Sequence, residues 1–154
     1  MAENASALII DDDPFHLQIY GKVVERAGYR ALTAEARFGG VKFPIEPVDL
    51  VLLDYHLAGL SAVEIAGEIQ ARLPGVPILV LSDAYSLPED IAPLVQGFVR
   101  KGDPAKLIAT LHEFRSRWRN GSPPDGSATH GGAVDSAGRY SPKMVIEAKE
   151  DTNP

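Results

Sequence analysis

Short apolar runs alternate with helical patterns along residues 7–118 of this chain. Several runs, such as residues 7–10 and 50–53, are apolar at every position rather than at every second one. Continuous apolar runs of this length are typical of strands that are buried on both faces of a sheet. The five runs that we expect to form strands are residues 7–10, 29–34, 49–54, 77–81 and 97–100.

Helical periodicity follows three of these runs, beginning after Asp13, at Ser61 and after Asp103. The connections at residues 35–47 and 88–96 contain Gly or Pro, so any helix there is expected to be short or distorted. Apolar strands that alternate with helices predict an α/β fold. We therefore expect a doubly wound, five-stranded parallel sheet with helices on both faces, built from five βα units.

The composition changes near residue 119. Gly, Pro and Ser are frequent in residues 119–154, and only residues 144–146 offer an apolar group. Such a segment buries too little apolar surface to fold alone. We predict one domain over residues 7–118 and a disordered, low-complexity tail over residues 119–154. The alternative is a tail that folds onto a partner or onto the domain itself.

Charge and composition exclude several classes of function. The net charge is −6, which argues against binding to nucleic acid or to an anionic membrane surface. The absence of Cys excludes disulfides, zinc sites containing Cys and thiol nucleophiles. No signal peptide and no apolar run of the ~20 residues that a membrane helix needs is present, so we expect a cytoplasmic protein.

Polar residues that suit phosphoryl chemistry follow the predicted strands. Asp11 and Asp12 follow the first strand, Asp54 ends the third, Ser82 follows the fourth and Lys101 follows the fifth. Parallel strands bring their carboxyl ends to one edge of a sheet, where ligands bind. Clustered carboxylates favour Mg²⁺, and a hydroxyl and an ammonium suit phosphoryl oxygens. We predict phosphoryl transfer to Asp54 as the nucleophile.

In the order of these residues, the chain resembles a response-regulator receiver domain of the CheY-like superfamily over about residues 7–118. The resemblance implies a flavodoxin-like (βα)5 fold with Asp54 as the phosphoacceptor. It implies that Asp11, Asp12, Asp54 and the backbone carbonyl of His56 hold Mg²⁺.

The same resemblance implies a switch, in which Ser82, Lys101 and Phe98 respond to phosphorylation. The phosphoryl group would come from a sensor histidine kinase or a histidine phosphotransfer protein. Nothing after Trp118 is similar to an output domain, so a stand-alone regulator is expected, with no DNA binding and no enzymatic turnover of its own. Its output would be contact with an unknown downstream protein, or phosphoryl relay.

The chain differs from the family pattern at several positions. Ala58 and Gly102 stand where the family usually has Pro, and Asp83 stands where it usually has a small residue. Asp83 and the side chain of His56 are therefore expected to modulate access at the rim of the site. Lys101 follows Ser82 by 19 positions, a shorter spacing than the family suggests, and we expect the loss in the fourth helix.

Two other functions remain open at this stage. A pseudo-receiver would keep the fold and bind a partner without phosphorylation. A haloacid-dehalogenase-type phosphatase would use Asp11 and Asp13 as its D-x-D pair, although we expect Asp13 to be only a helix N-cap. The histidines (His16, His112 and His130) show no spacing typical of a metal site.

Overall fold

The computed structural model of the protein describes residues 4–119, so that the predicted tail lies outside the described residues except for Arg119. The strands of the main sheet are β1 (Ser6–Asp11), β2 (Arg30–Glu35), β3 (Leu50–Asp54), β4 (Ile78–Ser82) and β5 (Gly97–Arg100). The helices are α1 (Pro14–Arg26), α2 (Ala62–Arg72) and α3 (Pro104–Arg119).

The main sheet is parallel, with the strand order β2-β1-β3-β4-β5. The order reverses between β1 and β3, which creates a crevice at the carboxyl ends of these two strands. Ile10 pairs with Leu53 across them, so that Asp11 and Asp54 end neighbouring strands at the same level. The predicted five-stranded parallel sheet is confirmed.

Helices cover both faces of this sheet, as predicted. Leu8 and Ile10 of β1 point into one apolar cluster with residues of α2, whereas Ala7 and Ile9 point into a second cluster with residues of α1 and α3. Each buried Leu or Ile contributes roughly 1.5–3 kcal/mol through removal of apolar surface from water. The sheet is therefore fixed from both sides, and its strand ends form a rigid frame.

Two of the five βα connections lack an α-helix, in agreement with the expectation that any helix there is short or distorted. Residues 36–49, between β2 and β3, form no helix, and residues 83–96, between β4 and β5, contain only the 3-10 turn Ala92–Leu94. Pro44, Pro47, Pro88 and Pro93 lie in these segments, and each removes a backbone donor. The predicted loss in the fourth helix region is confirmed.

Local signals fix where the chain turns at the carboxyl edge of the sheet. The Asp13 side chain accepts a hydrogen bond from the Phe15 N–H, which confirms the predicted N-cap of α1. After β3, a short hairpin pairs His56–Leu57 with Leu60–Ser61, and Ser61 caps α2. Within residues 4–119, no helix is both long and apolar enough to cross a membrane.

Two glycine substitutions test the packing of this frame. Gly28 follows α1 with φ of 89°, and a Cβ there would overlap the guanidinium group of Arg115. Gly67 lies inside α2 with open space around it. Gly28→Ala is expected to lower the free energy of unfolding by about 1 kcal/mol or more, and Gly67→Ala to raise it by up to about 1 kcal/mol. Urea titration of both variants measures the difference, and equal effects would contradict this packing.

Candidate functional site

The centre of the crevice is an ion pair between Asp54 and Lys101. Asp54 ends β3 and is 2% exposed, and Lys101 directly follows β5. The Lys101 Nζ lies 2.8 Å from the Asp54 Oδ1, which also accepts a hydrogen bond of 3.0 Å from the His56 N–H. Burial works against the charge of Lys101, but the hydrogen bond to Asp54 and the negative charges of Asp54 and Asp11 together outweigh it and raise the pKa of the ammonium group.

Asp11 lies beside this pair with one carboxylate oxygen unsatisfied. Its side chain is 1% exposed, and its Oδ1 accepts a hydrogen bond from the Asp13 N–H at 2.9 Å. Its Oδ2 is buried without a hydrogen-bond partner. Burial, helped by the nearby charge of Asp54, raises the pKa of Asp11 to about 6 against the opposing effect of the Asp13 N–H. A buried oxygen of this kind is a ready ligand for a cation.

Asp12 lies at the more open side of the same crevice. Its Oδ2 accepts a hydrogen bond of 3.1 Å from the Ala58 N–H in the short hairpin. Burial alone would raise the pKa of Asp12, but the hydrogen bond from Ala58, the interaction with the Asp11 side chain and the charge of Lys101 together outweigh it, so that the pKa lies below its usual value. Asp12 therefore keeps its negative charge and connects the end of β1 with the loop after β3.

Ser82 occupies the end of β4, between the strands that supply the ion pair. It is fully buried, and its Oγ accepts a hydrogen bond of 3.1 Å from the Ala84 N–H. Its backbone carbonyl accepts from the Lys101 N–H at 2.8 Å, which aligns the ends of β4 and β5. The hydroxyl hydrogen is a donor that this geometry leaves available for an anion.

The other predicted residues lie further out. Asp83 and the His56 side chain are exposed at the rim, at the two positions where modulation of access is predicted. Phe98 is half-buried and packs against the apolar cluster on the α2 face of the sheet. The structure thus brings Asp11, Asp54 and Lys101 together, and it places Phe98 in a neighbouring layer.

His16 is a member of the site that the sequence spacing did not indicate. It is the third residue of α1, and its Nδ1 lies 3.4 Å from the Asp11 Oδ2. One donor atom each from Asp11, His16 and Asp54 lie within 4.8 Å of one another. The N-cap at Asp13 is the signal in the sequence, because it fixes α1 so that this turn folds back over the end of β1.

Tyr55 was also not predicted, and it joins the site to the connection before β5. Its hydroxyl donates to the carboxylate of Asp90, with distances of 2.9 and 3.0 Å to the two oxygens. This hydrogen bond raises the pKa of the Tyr55 hydroxyl. Nearby, the Arg100 guanidinium lies 4.1 Å from the ring centre of Tyr85. The residue after Asp54 is thus tied to the segment that replaces the fourth helix.

The family model for the response regulator receiver domain matches residues 7–112. The chain belongs to this family. A receiver domain has its acidic pocket at the carboxyl ends of its strands, as seen here. Membership of this family excludes the haloacid-dehalogenase family. Asp13, which would complete the D-x-D pair of such a phosphatase, is instead the N-cap of α1.

Curated relatives of this receiver domain are larger proteins. The transcriptional regulatory protein GlrR of Escherichia coli is 34% identical over 94 residues, covering 60% of this chain and 21% of that protein. ZraR of Klebsiella oxytoca is 29% identical over 122 residues, covering 76% of this chain and 28% of that protein. The chain therefore spans about a fifth to a quarter of the length of these regulators.

Solved structures share the fold of this receiver domain. A CheY-like receiver from Methanospirillum hungatei has a TM-score of 0.65 and 22% identity, covering 77% of this chain and 98% of that one. TrrA of Thermotoga maritima, solved in complex with Mg²⁺-BeF, has a TM-score of 0.54 and 24% identity, covering 70% of this chain and 98% of that one.

The buried carboxylate of Asp11 carries a charge that no partner fully balances. We therefore predict that removing this charge stabilises the metal-free protein. The folded-state pKa of about 6 lies above the usual value, so that the ionised carboxyl destabilises the fold at pH 7.5. In EDTA at this pH, Asp11→Asn is expected to raise the free energy of unfolding by about 1–3 kcal/mol. Asp12→Asn is the matched control and is expected to give no gain, because its charge is stabilised by the Ala58 N–H. The free energies of unfolding are measured by denaturant titration. A higher value for Asp12→Asn than for Asp11→Asn would contradict this electrostatic account.

Proposed function

We propose that this receiver domain accepts a phosphoryl group on Asp54 in a Mg²⁺-dependent reaction and signals through contact with another protein. The observation that supports this most directly is the buried ion pair of Lys101 and Asp54, 2.8 Å long, beside the unsatisfied oxygen of Asp11. An anionic nucleophile held next to a cation and further carboxylates suits phosphoryl transfer, in which charge on the phosphoryl oxygens has to be neutralised.

Both contacts to Asp54 fall on its Oδ1, which leaves Oδ2 free of them for the reaction. In the proposed step, a carboxylate oxygen of Asp54 bonds to phosphorus while the phosphorus–nitrogen bond of a phosphohistidine breaks. The electron pair stays on the imidazole of the donor protein, which takes up a proton. Lys101 and the Ser82 hydroxyl then bind oxygens of the new acyl phosphate.

The carboxylates of this crevice fit a divalent cation with oxygen ligands. We propose Asp11, Asp12, Asp54 and the backbone carbonyl of His56 as its binding residues. Mg²⁺ prefers one or two carboxylates together with phosphate oxygens, and the unsatisfied Oδ2 of Asp11 is in position to serve it. The cation supplies neutralisation of the phosphoryl oxygens during the transfer.

The proposed donor is a sensor histidine kinase or a histidine phosphotransfer protein, and the proposed setting is the cytoplasm. We propose residues 7–118 as the signalling domain, and we regard the domain as a phosphoacceptor rather than an enzyme that turns over a substrate. The downstream partner is a protein, reached by direct contact or by phosphoryl relay. Ser82, Lys101 and Phe98 are the proposed switch residues, with Asp83 and His56 modulating access at the rim.

Phosphorylation is tested directly with a small phosphodonor, phosphoramidate, and intact-protein mass spectrometry. The wild type is expected to gain the mass of one phosphoryl group with Mg²⁺ and to gain none in EDTA. Asp54→Asn is expected to gain none under either condition, because it removes the nucleophile. Asp90→Asn is the matched control, an exposed carboxylate near the site, and it is expected to react. An unmodified wild type that remains folded would favour the pseudo-receiver.

The switch is tested by amide NMR with beryllofluoride, which stands in for a phosphoryl group on a carboxylate. With Mg²⁺, the amides of Ser82, Phe98 and Lys101 are expected to shift and to saturate. The shifts are expected to require Mg²⁺ and to vanish in Asp54→Asn. If the amides of Ser82 and Lys101 shift but that of Phe98 does not, beryllofluoride binds without any response of Phe98. Phe98 would then be excluded from the switch.

A further inference from the structure

His16 gives this acidic pocket a nitrogen donor. The Nδ1 atom of His16 is buried without a hydrogen-bond partner, and it faces the equally unpartnered Oδ2 of Asp11 at 3.4 Å. The His16 side chain is 40% exposed, so that the ring is accessible from solvent at its other side. Two buried atoms that lack partners and face each other leave a favourable position for a cation between them.

The surroundings of the ring favour this orientation. The Nε2 of His16 faces the Asp13 Oδ2 at 3.7 Å, and the ring packs edge-on against Tyr20 with centroids 6.1 Å apart. Carboxylates thus face both nitrogens of the ring, Asp11 at Nδ1 and Asp13 at Nε2. As a metal ligand through Nδ1, the ring carries its hydrogen on Nε2, on the side of Asp13.

A nitrogen donor changes which cation the pocket prefers. Mg²⁺ is a hard ion that binds oxygen, whereas imidazole suits first-row transition ions such as Zn²⁺. Mn²⁺ lies between the two, because it binds oxygen ligands but accepts an imidazole more readily than Mg²⁺ does. Donor atoms of Asp11, His16 and Asp54 lie within 4.8 Å of one another, so that a single ion can contact two carboxylates and one imidazole. This is a mixed oxygen and nitrogen set rather than an all-oxygen one.

We propose that His16 is a direct ligand of the divalent cation in this pocket, together with Asp11 and Asp54, and that it makes the domain selective for a transition ion over Mg²⁺. The proposal rests on the proposed function, since it concerns the same cation. It adds that the pocket binds an ion such as Mn²⁺ more tightly than Mg²⁺, which still supports the proposed reaction, and that this preference is set in the first turn of α1.

A histidine outside the pocket serves as the matched control. His112 is exposed on α3. Replacing its imidazole removes the same chemical group as replacing His16 but leaves the facing pair of His16 and Asp11 intact.

The test measures Mn²⁺ and Mg²⁺ binding to the full chain by isothermal titration calorimetry. His16→Leu is expected to weaken Mn²⁺ binding by on the order of tenfold and to change Mg²⁺ binding by less than about twofold. Mg²⁺ is the internal control, because a purely electrostatic or structural effect of the substitution changes both ions alike. His16→Gln is the second variant if His16→Leu does not fold.

Pulsed electron paramagnetic resonance of bound Mn²⁺ gives a second readout. A ¹⁴N coupling typical of a directly bound imidazole is expected in the wild type and in His112→Gln, and it is expected to disappear in both His16 variants. Mn²⁺ binding without this coupling, or a coupling that persists in both His16 variants, would overturn the role of His16 and leave the proposed function intact. Absence of binding by both ions in the folded wild type would overturn the proposed function as well.

Discussion

Buried negative charge at the carboxyl ends of β1 and β3 is the constraint that shapes the rest of this domain. Asp11 and Asp54 end neighbouring strands and are almost completely buried, and the charge of Asp54 adds to burial in making ionisation of Asp11 less favourable. Lys101, brought over from β5, is the ammonium that compensates Asp54. This charge is held at the strand ends by the parallel register, by the burial of the strands and by the position of Lys101. It nevertheless stays accessible to a ligand in the crevice.

An apolar replacement of such a cluster is often neutral or stabilising in proteins, so stability alone does not explain it. The cluster is instead a pocket whose charge is incompletely balanced, with one unsatisfied oxygen on Asp11. A cation or a phosphoryl group bound there completes the balance. The same carboxylates thus give the pocket its affinity for a cation or a phosphoryl group and modestly lower the stability of the unliganded fold.

The strands, their order along the chain and the residues at their ends could be predicted from the sequence, because continuous apolar runs and helix caps are local signals. The positions of Asp54 and Lys101 followed from the rule that parallel strands end at one edge. Individual side-chain contacts could not be predicted in this way. The approach of His16 to Asp11 follows from the cap at Asp13 and leaves no periodic signal. The hydrogen bond from Tyr55 to Asp90 depends on how two distant segments pack.

The segment between β4 and β5 has a consequence for how another protein recognises this face. Its second half is anchored, because Ile91 and Val95 are buried in the core. Residues 83–90 before it are exposed or half-buried, and their side-chain contacts include Asp90 with Tyr55 and Tyr85 with Arg100. Exposed contacts of this kind contribute little each, whereas ordering a residue costs about 1–2 kcal/mol of conformational entropy. A partner that binds here has to bear part of that entropic cost, so its affinity is sensitive to small rearrangements beside Asp54. If the proposed partner binds this face, its recognition depends on how well ordered residues 83–90 are, rather than on the exposure of a preformed helix.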